Sequence, residues 1–173
     1  MAQTETKKLE TVSKEISKTN SPKNEVVECL QIQVANAFVL YTNYKHYHWQ
    51  TFGPLFRDLH HLFDELAGEV YETVDELAER VRMIGQNPVS RLEQFIKTAT
   101  VKAAQSGGNM QDMIKEAHGN LIFLIKEMRA AIETASDQKD PGTADVLTRF
   151  VQIHEKHEWF LREFLEKKDG LVA

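Results

Sequence analysis

Residues 58–84 read DLHHLFDELAGEVYETVDELAERVRMI and carry the clearest structural pattern in the chain. At 3.6 residues per turn, its apolar side chains fall on one face of a helix, the pattern of an amphipathic helix packed against a core. The predicted core face consists of Leu59, Leu62, Phe63, Leu66, Val70, Val74, Leu77, Val81 and Ile84. The sequence therefore predicts a long helix, from about Leu55 to Ile84, with one face buried in a bundle of helices.

The charge pattern of the same helix is unusual. Between Asp58 and Glu79 it carries eight carboxylates and two histidines but no Lys or Arg. Carboxylates crowded on one helix repel one another, so a bound cation is a physical reason to keep them there. A solvated acidic face is the simpler alternative.

The spacing of the ligand-type residues favours a cation shared between two chains. His60 and Asp64 form one i,i+4 pair and Asp75 and Glu79 form another, on a stripe turned about 140° from the core face. Asp64 and Asp75 are about 16 Å apart along the axis, too far to share one metal ion. The two pairs are mirrored about a midpoint next to Gly68. An antiparallel two-fold contact with a second copy would therefore bring one pair against the other and give two identical sites per dimer.

The remaining sequence predicts an all-α domain with a four-helix bundle. Residues 1–20 are polar and are predicted to form a flexible N-terminal arm, residues 21–168 the bundle, and residues 169–173 a C-terminal tail. The first long helix is predicted to begin at Ser21-Pro22 and to end at Gly53-Pro54. A capping box from Ser90 to Glu93 predicts a short helix. Asn109 is predicted to cap the third long helix, and Asp140-Pro141 is predicted to start the fourth. The short helix lies in the connection between the second and third long helices.

Bulk properties place the chain among globular proteins of a reducing compartment. The 173 residues carry a net charge of −5, which argues against a folded domain that binds nucleic acid directly. Cys29 has no second cysteine to pair with, and no apolar run approaches the length of a membrane span. We expect a cytoplasmic protein, with association with the nucleoid left open.

Four short motifs resemble the Dps family, the mini-ferritins named as DNA-binding proteins from starved cells. They span Lys45–Trp49, Gly53–Phe56, Leu59–Asp64 and Asp75–Arg80. The resemblance implies a ferritin-like bundle and a ferroxidase activity that converts Fe(II) to Fe(III), with hydrogen peroxide as the preferred oxidant. It also implies a hollow shell of twelve chains that stores the ferric mineral.

The resemblance implies roles for particular residues. His48, His60 and Asp64 of one chain, with Asp75 and Glu79 of the two-fold mate, would form the iron site, with zinc as a candidate competing occupant. Trp49 is a candidate electron donor, as is Tyr44 or Tyr47, although simple packing of these aromatics at the end of the first helix is favoured. Asp140 and Asp145 are candidates for an acidic pore, and Asp140 is also a candidate helix cap. His154, His157 and Glu158 are spaced as a weaker candidate metal site, expected at the surface.

Two rival functions remain. An ordinary ferritin or bacterioferritin would need Glu-x-x-His motifs, and the sequence has none. A DNA-compacting structural protein with an incidental metal site would need a basic arm. The first 24 residues hold five lysines against three glutamates, a net of only +2, so DNA binding stays an open alternative.

Overall fold

A computed structural model describes residues 24–105 and 108–166, which form five helices and no strands. The helices are α1 (Asn24–Gln50), α2 (Phe56–Met83), the short α3 (Leu92–Thr98), α4 (Met110–Asp137) and α5 (Pro141–Leu165). The predicted four long helices and short extra helix are confirmed. The predicted arm over 1–20, the Ser21-Pro22 start and the tail over 169–173 lie outside the described residues. Within the described ranges, no helix combines the length and apolar character that a bilayer span requires.

The four long helices form a bundle of two neighbouring pairs. α1 packs along α2, and α4 packs along α5. Contacts of α1 with α4 and of α2 with α5 join the pairs, and α3 lies against α1. The core is a continuous cluster of apolar side chains from all five helices, as the helical periodicity predicted.

The predicted core face of α2 is confirmed. Leu59, Phe63, Leu66, Val70, Leu77 and Val81 are buried in the structure, Ile84 is buried just after the helix, and Leu62 and Val74 are partly buried against the core. Because this face turns inward, the opposite face of α2 is presented away from the chain's own bundle.

Side-chain caps and glycines set most of the helix ends. Asn109 accepts a hydrogen bond from the Asp112 amide at the start of α4, and Asp140 accepts one from the Thr143 amide at the start of α5, as predicted. Gly53 and Gly85 adopt positive φ angles of 85° and 87° where the chain turns out of α1 and α2.

The cap predicted at Ser90 is wrong by one residue. Helix α3 begins after Arg91, and the Gln94 side chain accepts hydrogen bonds from the Ser90 and Arg91 amides. Ser90 therefore lies one position before the N-cap, Arg91, and its side chain is not the cap of α3.

Three buried asparagines fix the connection between α3 and α4. Asn36 accepts hydrogen bonds from the amides of Thr100 and Val101, and Asn43 bridges Lys102 and Ala104. Asn120 holds the main chain of Lys102 from the other side. These bonds satisfy the polar groups of an extended backbone that crosses α1 and α4.

Candidate metal centre

The two predicted ligand pairs lie on the outward face of α2. Asp64, Asp75 and Glu79 are exposed and His60 is partly exposed. All four side chains therefore belong to a surface that the chain's own bundle does not cover. Neither pair can complete a metal site alone, because each offers at most two donor groups.

His48 at the end of α1 lies directly against His60. Their imidazole rings stack with centroids 3.7 Å apart. The Nδ1 of His48 is 2.6 Å from the main-chain oxygen of His60, and the Nδ1 of His60 is 2.9 Å from the main-chain oxygen of His48. A carbonyl oxygen only accepts, so both Nδ1 atoms carry the proton and donate. With the proton of the neutral tautomer on Nδ1, the lone pair of each ring is on Nε2, the atom that can bind a metal.

Asp64, the i,i+4 partner of His60, forms an ion pair within the chain. Lys45 Nζ lies 2.6 Å from Asp64 Oδ1, and the side chains are 21% and 55% exposed. The hydrogen bond from Lys45 lowers the pKa of Asp64, so this carboxylate stays ionised. The Lys45 ammonium also lies 5.7 Å from the ring centroid of Trp49, which is itself 69% exposed.

Part of the acidic face is neutralised from other helices, which the sequence of α2 alone did not reveal. Lys156 binds Glu69 at 2.7 Å, and Arg149 binds Glu76 at 2.7 Å. The expectation that α2 lacks counter-charge is therefore wrong for Asp64, Glu69 and Glu76. Asp75 and Glu79 form no ion pair with any described part of the chain.

No single chain gathers a complete ligand set in the residues described. Across residues 24–105 and 108–166, no group of three or more His, Cys, Asp or Glu side chains is placed to hold one ion. Gly68, between the two pairs, is exposed, and a Cβ added to it would meet no atom of the same chain within 4 Å. The outward face of α2 thus has ligand-type residues at both ends and room for a close neighbour in the middle.

The two tyrosines near the site are core residues. Tyr44 and Tyr47 are fully buried and pack on Phe63, and burial raises the pKa of both phenols. Tyr47 donates a hydrogen bond to Glu116 at 2.8 Å, whereas the Tyr44 hydroxyl has no described partner. These contacts support the packing interpretation for both residues.

The two pore candidates differ in their surroundings. Asp140 caps α5 and also binds Arg80 at 2.6 Å, and Arg80 is accommodated beside Gly142, where a Cβ would lie 2.9 Å from the guanidinium. Burial opposes ionisation of Asp140, but the hydrogen bonds from Thr143 and the charge of Arg80 hold its pKa below the usual value. The Asp145 side chain is 77% exposed and lies 3.9 Å from Arg149.

The weaker candidate site on α5 is not where it was expected. His154 and His157 are buried in the bundle, not at the surface, because they lie on the core face of α5. Glu158 instead lies beside His118 of α4, with Oε1 2.9 Å from His118 Nε2. The three residues do not form one site.

Comparison with known proteins identifies relatives over nearly the whole described chain. The model of the ferritin-like domain matches residues 27–170. A protein of Brevibacillus brevis named "DNA protection during starvation protein" is 37% identical over 141 residues, covering 82% of this chain and 95% of the relative.

Solved structures of Dps proteins are also similar to this chain. Dps from Thermosynechococcus elongatus superposes with a TM-score of 0.86 at 48% identity, covering 90% of this chain and 99% of that one. A Dps protein from Vibrio cholerae, described as a member of a broad superfamily of ferritin-like diiron-carboxylate proteins, gives a TM-score of 0.79 at 25% identity. It covers 87% of this chain and 92% of its own.

Proposed function

The chain belongs to the Dps family of ferritin-like proteins, and from this premise we propose that it is a ferroxidase. It oxidises Fe(II) at a site shared between two copies of the chain and stores Fe(III) mineral inside a hollow shell of twelve chains. Iron is the substrate and the cargo, and hydrogen peroxide is the preferred oxidant.

The donor set suits Fe(II). Carboxylates and imidazoles bind Fe(II) without the very high affinity of thiolates, and a site with few protein ligands leaves positions for an oxidant. We assign His48 and His60 as nitrogen donors and Asp64 with the partner's Glu79 as the carboxylates between two irons. The partner's Asp75 either binds directly or orients His48.

The observation that carries the proposal is the reciprocal hydrogen bonding of the two histidines. His48 and His60 each donate Nδ1–H to the other's main-chain oxygen, which leaves both Nε2 lone pairs unprotonated. Two rings stacked 3.7 Å apart in this tautomer form a preorganised pair of donors.

The reaction balances with peroxide as a two-electron oxidant. Two Fe(II) ions each give one electron, the O–O bond breaks, and two protons complete two molecules of water. Because both electrons leave within one site, no hydroxyl radical is released. Trp49, exposed beside Lys45, is proposed to supply an electron when only one iron is present.

An anaerobic titration tests the proposal. Fe(II) is added to the metal-free shell, peroxide follows in measured portions, and ferric absorbance is recorded. We expect a rapid phase that consumes one peroxide for about two Fe(II), and Glu79→Ala should slow this phase at least about tenfold because one carboxylate ligand is lost. Zinc added first should compete for the same ligands.

A neighbouring carboxylate provides the matched control. Glu65 is an exposed residue of α2 that points about 100° away from Asp64. Glu65→Ala should oxidise iron at the wild-type rate, with both variants assembled into shells of the same mass. Rapid oxidation in Glu79→Ala, equal to that in Glu65→Ala, would refute the assignment.

DNA binding is a separate question that the described residues do not reach, because the lysine-containing arm precedes residue 24. Iron oxidation requires no DNA, whereas compaction does. A gel shift at low and moderate salt distinguishes the ferroxidase from the DNA-compacting alternative, since phosphate contacts weaken steeply with salt. We propose a cytoplasmic location, with nucleoid association dependent on the outcome of that assay.

A further inference from the structure

Gly68 lies in the middle of α2, and nothing within its own chain requires a glycine there. It is exposed, and a Cβ added to it would meet no atom of the same chain within 4 Å. Glycine is unfavourable in a helix interior compared with alanine, which would fit here. A reason for the glycine is therefore to be sought outside the chain, in a neighbour that comes close to this backbone.

Tyr71, one turn further along α2, is a large side chain that the bundle leaves 58% exposed. Its ring packs against Tyr41 of α1, with the centroids 5.1 Å apart. Tyr41 in turn contacts Phe38, which stacks on Phe95 of α3 at 4.3 Å. This row of rings braces Tyr71 from within the chain, so a partner that covers it immobilises little additional side-chain freedom.

The short helix α3, at the other end of this row, also exposes apolar side chains. Leu92 and Ile96 lie one turn apart and are 67% and 76% exposed. Exposed aromatic and aliphatic surface on two helices joined in this way is typical of a contact with another chain.

The positions of Gly68 and Tyr71 are mirrored in the same way as the two ligand pairs. Residues 60 and 79, 64 and 75, and 68 and 71 share one midpoint, between residues 69 and 70. Between Asp64 and Asp75, Gly68 and Tyr71 are the two residues nearest the centre of the outward face. An antiparallel two-fold contact with this midpoint therefore puts Tyr71 of one chain at the level of the partner's Gly68, and the reverse.

We propose that Tyr71 of each chain packs on the partner's Gly68, and that these two equivalent contacts set the register of the paired α2 helices. The missing Cβ of Gly68 provides the space for the ring. Tyr71 is thus a positioning residue, which brings the ligand pair of one chain against that of the other without contacting the metal. The inference rests on the shared site of the proposed function and adds what aligns it.

Register matters because the site tolerates little displacement. A slip of one helical turn would move the partner's carboxylates by about 5.4 Å. Metal–ligand distances must hold within about 0.2 Å. The acidic ends of the two faces cannot select the register themselves, because carboxylates of both chains repel one another until a cation is bound. The uncharged centre, with its ring and its gap, is the part that can.

Exchange of the two residues provides the test, because they are mirror-related. Gly68→Tyr sets ring against ring, and Tyr71→Gly leaves a gap. Each single variant should weaken association of metal-free chains at least about tenfold in a sedimentation dilution series. The double variant Gly68→Tyr/Tyr71→Gly again opposes a tyrosine to a glycine in both contacts and keeps the composition of α2. It should associate within about threefold of the wild type.

Glu65 provides the matched controls, since it is exposed on α2 but points about 90° away from the centre of the outward face. Glu65→Tyr and Glu65→Gly carry the same changes in size and helix propensity and should associate like the wild type. Should Gly68→Tyr alone fail to assemble, recovery in the double variant still requires the two positions to face each other.

Zinc binding separates positioning from simple adhesion. At protein concentrations that keep every variant assembled, zinc affinity should fall at least about tenfold in Tyr71→Gly and recover in the double variant. Wild-type association of either single variant, or a double variant no better than the weaker single one, would overturn the proposal. Recovery of association and zinc affinity in shells that do not oxidise Fe(II) would support the contact and refute the ferroxidase instead.

Discussion

His48 and His60 hold each other by two hydrogen bonds, each ring donating Nδ1–H to the other residue's main-chain oxygen, at 2.6 and 2.9 Å. This reciprocity joins the last turn of α1 to the first turns of α2 across the Gly53 bend. It places the proton on Nδ1 in the neutral form of both rings, so the two proposed nitrogen donors are held in position without a metal. The remaining proposed ligands are carboxylates on the outward face of α2.

Lys45 is expected to act as an internal counter-ion at Asp64. Because its ammonium lies 2.6 Å from Oδ1, a metal ion must displace it. Lys45→Met should therefore bind Zn(II) about two- to fivefold more tightly, the range expected for a partly exposed ion pair. The titration follows the fluorescence of Trp49, whose ring lies beside the lysine.

Lys126→Met is the matched control for this prediction, since Lys126 is an exposed lysine of α4 without an ion pair to any described residue. Its zinc affinity should equal that of the wild type. Equal zinc affinities for the wild type, Lys45→Met and Lys126→Met would contradict the prediction, because they would show that the Lys45–Asp64 ion pair does not weaken zinc binding.

The two pore candidates should separate in function. If an acidic ring admits iron, Asp145→Asn should slow uptake more than Asp140→Asn, because the Asp140 charge is already offset by Arg80. The wild-type rate should also fall as salt screens the ring. Stopped-flow mineralisation over a salt series measures both effects.

A stability measurement checks the different role of Asp140. Asp140→Ala removes the cap of α5 and the partner of Arg80 and should destabilise the protein by about 1–2 kcal/mol, whereas Asp145→Ala should change stability little. An uptake rate that responds equally to both Asn substitutions, or to neither, would place the pore elsewhere.

Acid should destabilise the bundle through His154. Its folded-state pKa is about 3, against 6.5 for an ordinary histidine, so between these values the unfolded chain binds the extra proton. The contribution of His154 to the free energy of unfolding is therefore fully present above about pH 6.5. It falls by about 1.4 kcal/mol per pH unit as the pH drops toward 3. Denaturant titrations with a chelator present, at several pH values, measure this slope.

Replacement of the buried His154 ring tests whether His154 causes this acid sensitivity. His154→Phe should flatten the dependence in this window, and His61→Ala, which alters an exposed ring, should retain the wild-type slope. An unchanged slope in His154→Phe would assign the acid sensitivity to other groups.

The helices of this protein were predictable from its sequence because their signals are local. The core face of α2 and the caps at Asn109 and Asp140 depend only on periodicity and on residues three positions apart. The Ser90 cap was wrong because α3 begins one residue later, where Gln94 instead of Glu93 is the side chain that accepts from the preceding amides.

The contacts between helices were not predictable in the same way. The ion pairs of Lys45, Lys156 and Arg149 with α2 require the packing of three different helices. The burial of His154 and His157 was missed because a His-x-x-His spacing looks the same on either face of a helix. The histidine pair of the candidate centre depends on how α1 and α2 meet, which no periodicity reveals.

The proposed mechanism requires a site shared by two chains, and complementation between two inactive variants tests this requirement directly. One variant lacks His60 and Asp64, and the other lacks Asp75 and Glu79. Either alone breaks every site, because each site takes one pair from each chain. In a mixed dimer one site lacks both pairs and the other is intact.

With random pairing about half of the dimers are mixed, so co-expressed shells should recover roughly a quarter of the wild-type rapid iron oxidation. Mass spectrometry of the intact shells confirms that both chains are present. Co-assembled shells that remain as inactive as their parents would contradict the shared site and, with it, the proposed mechanism.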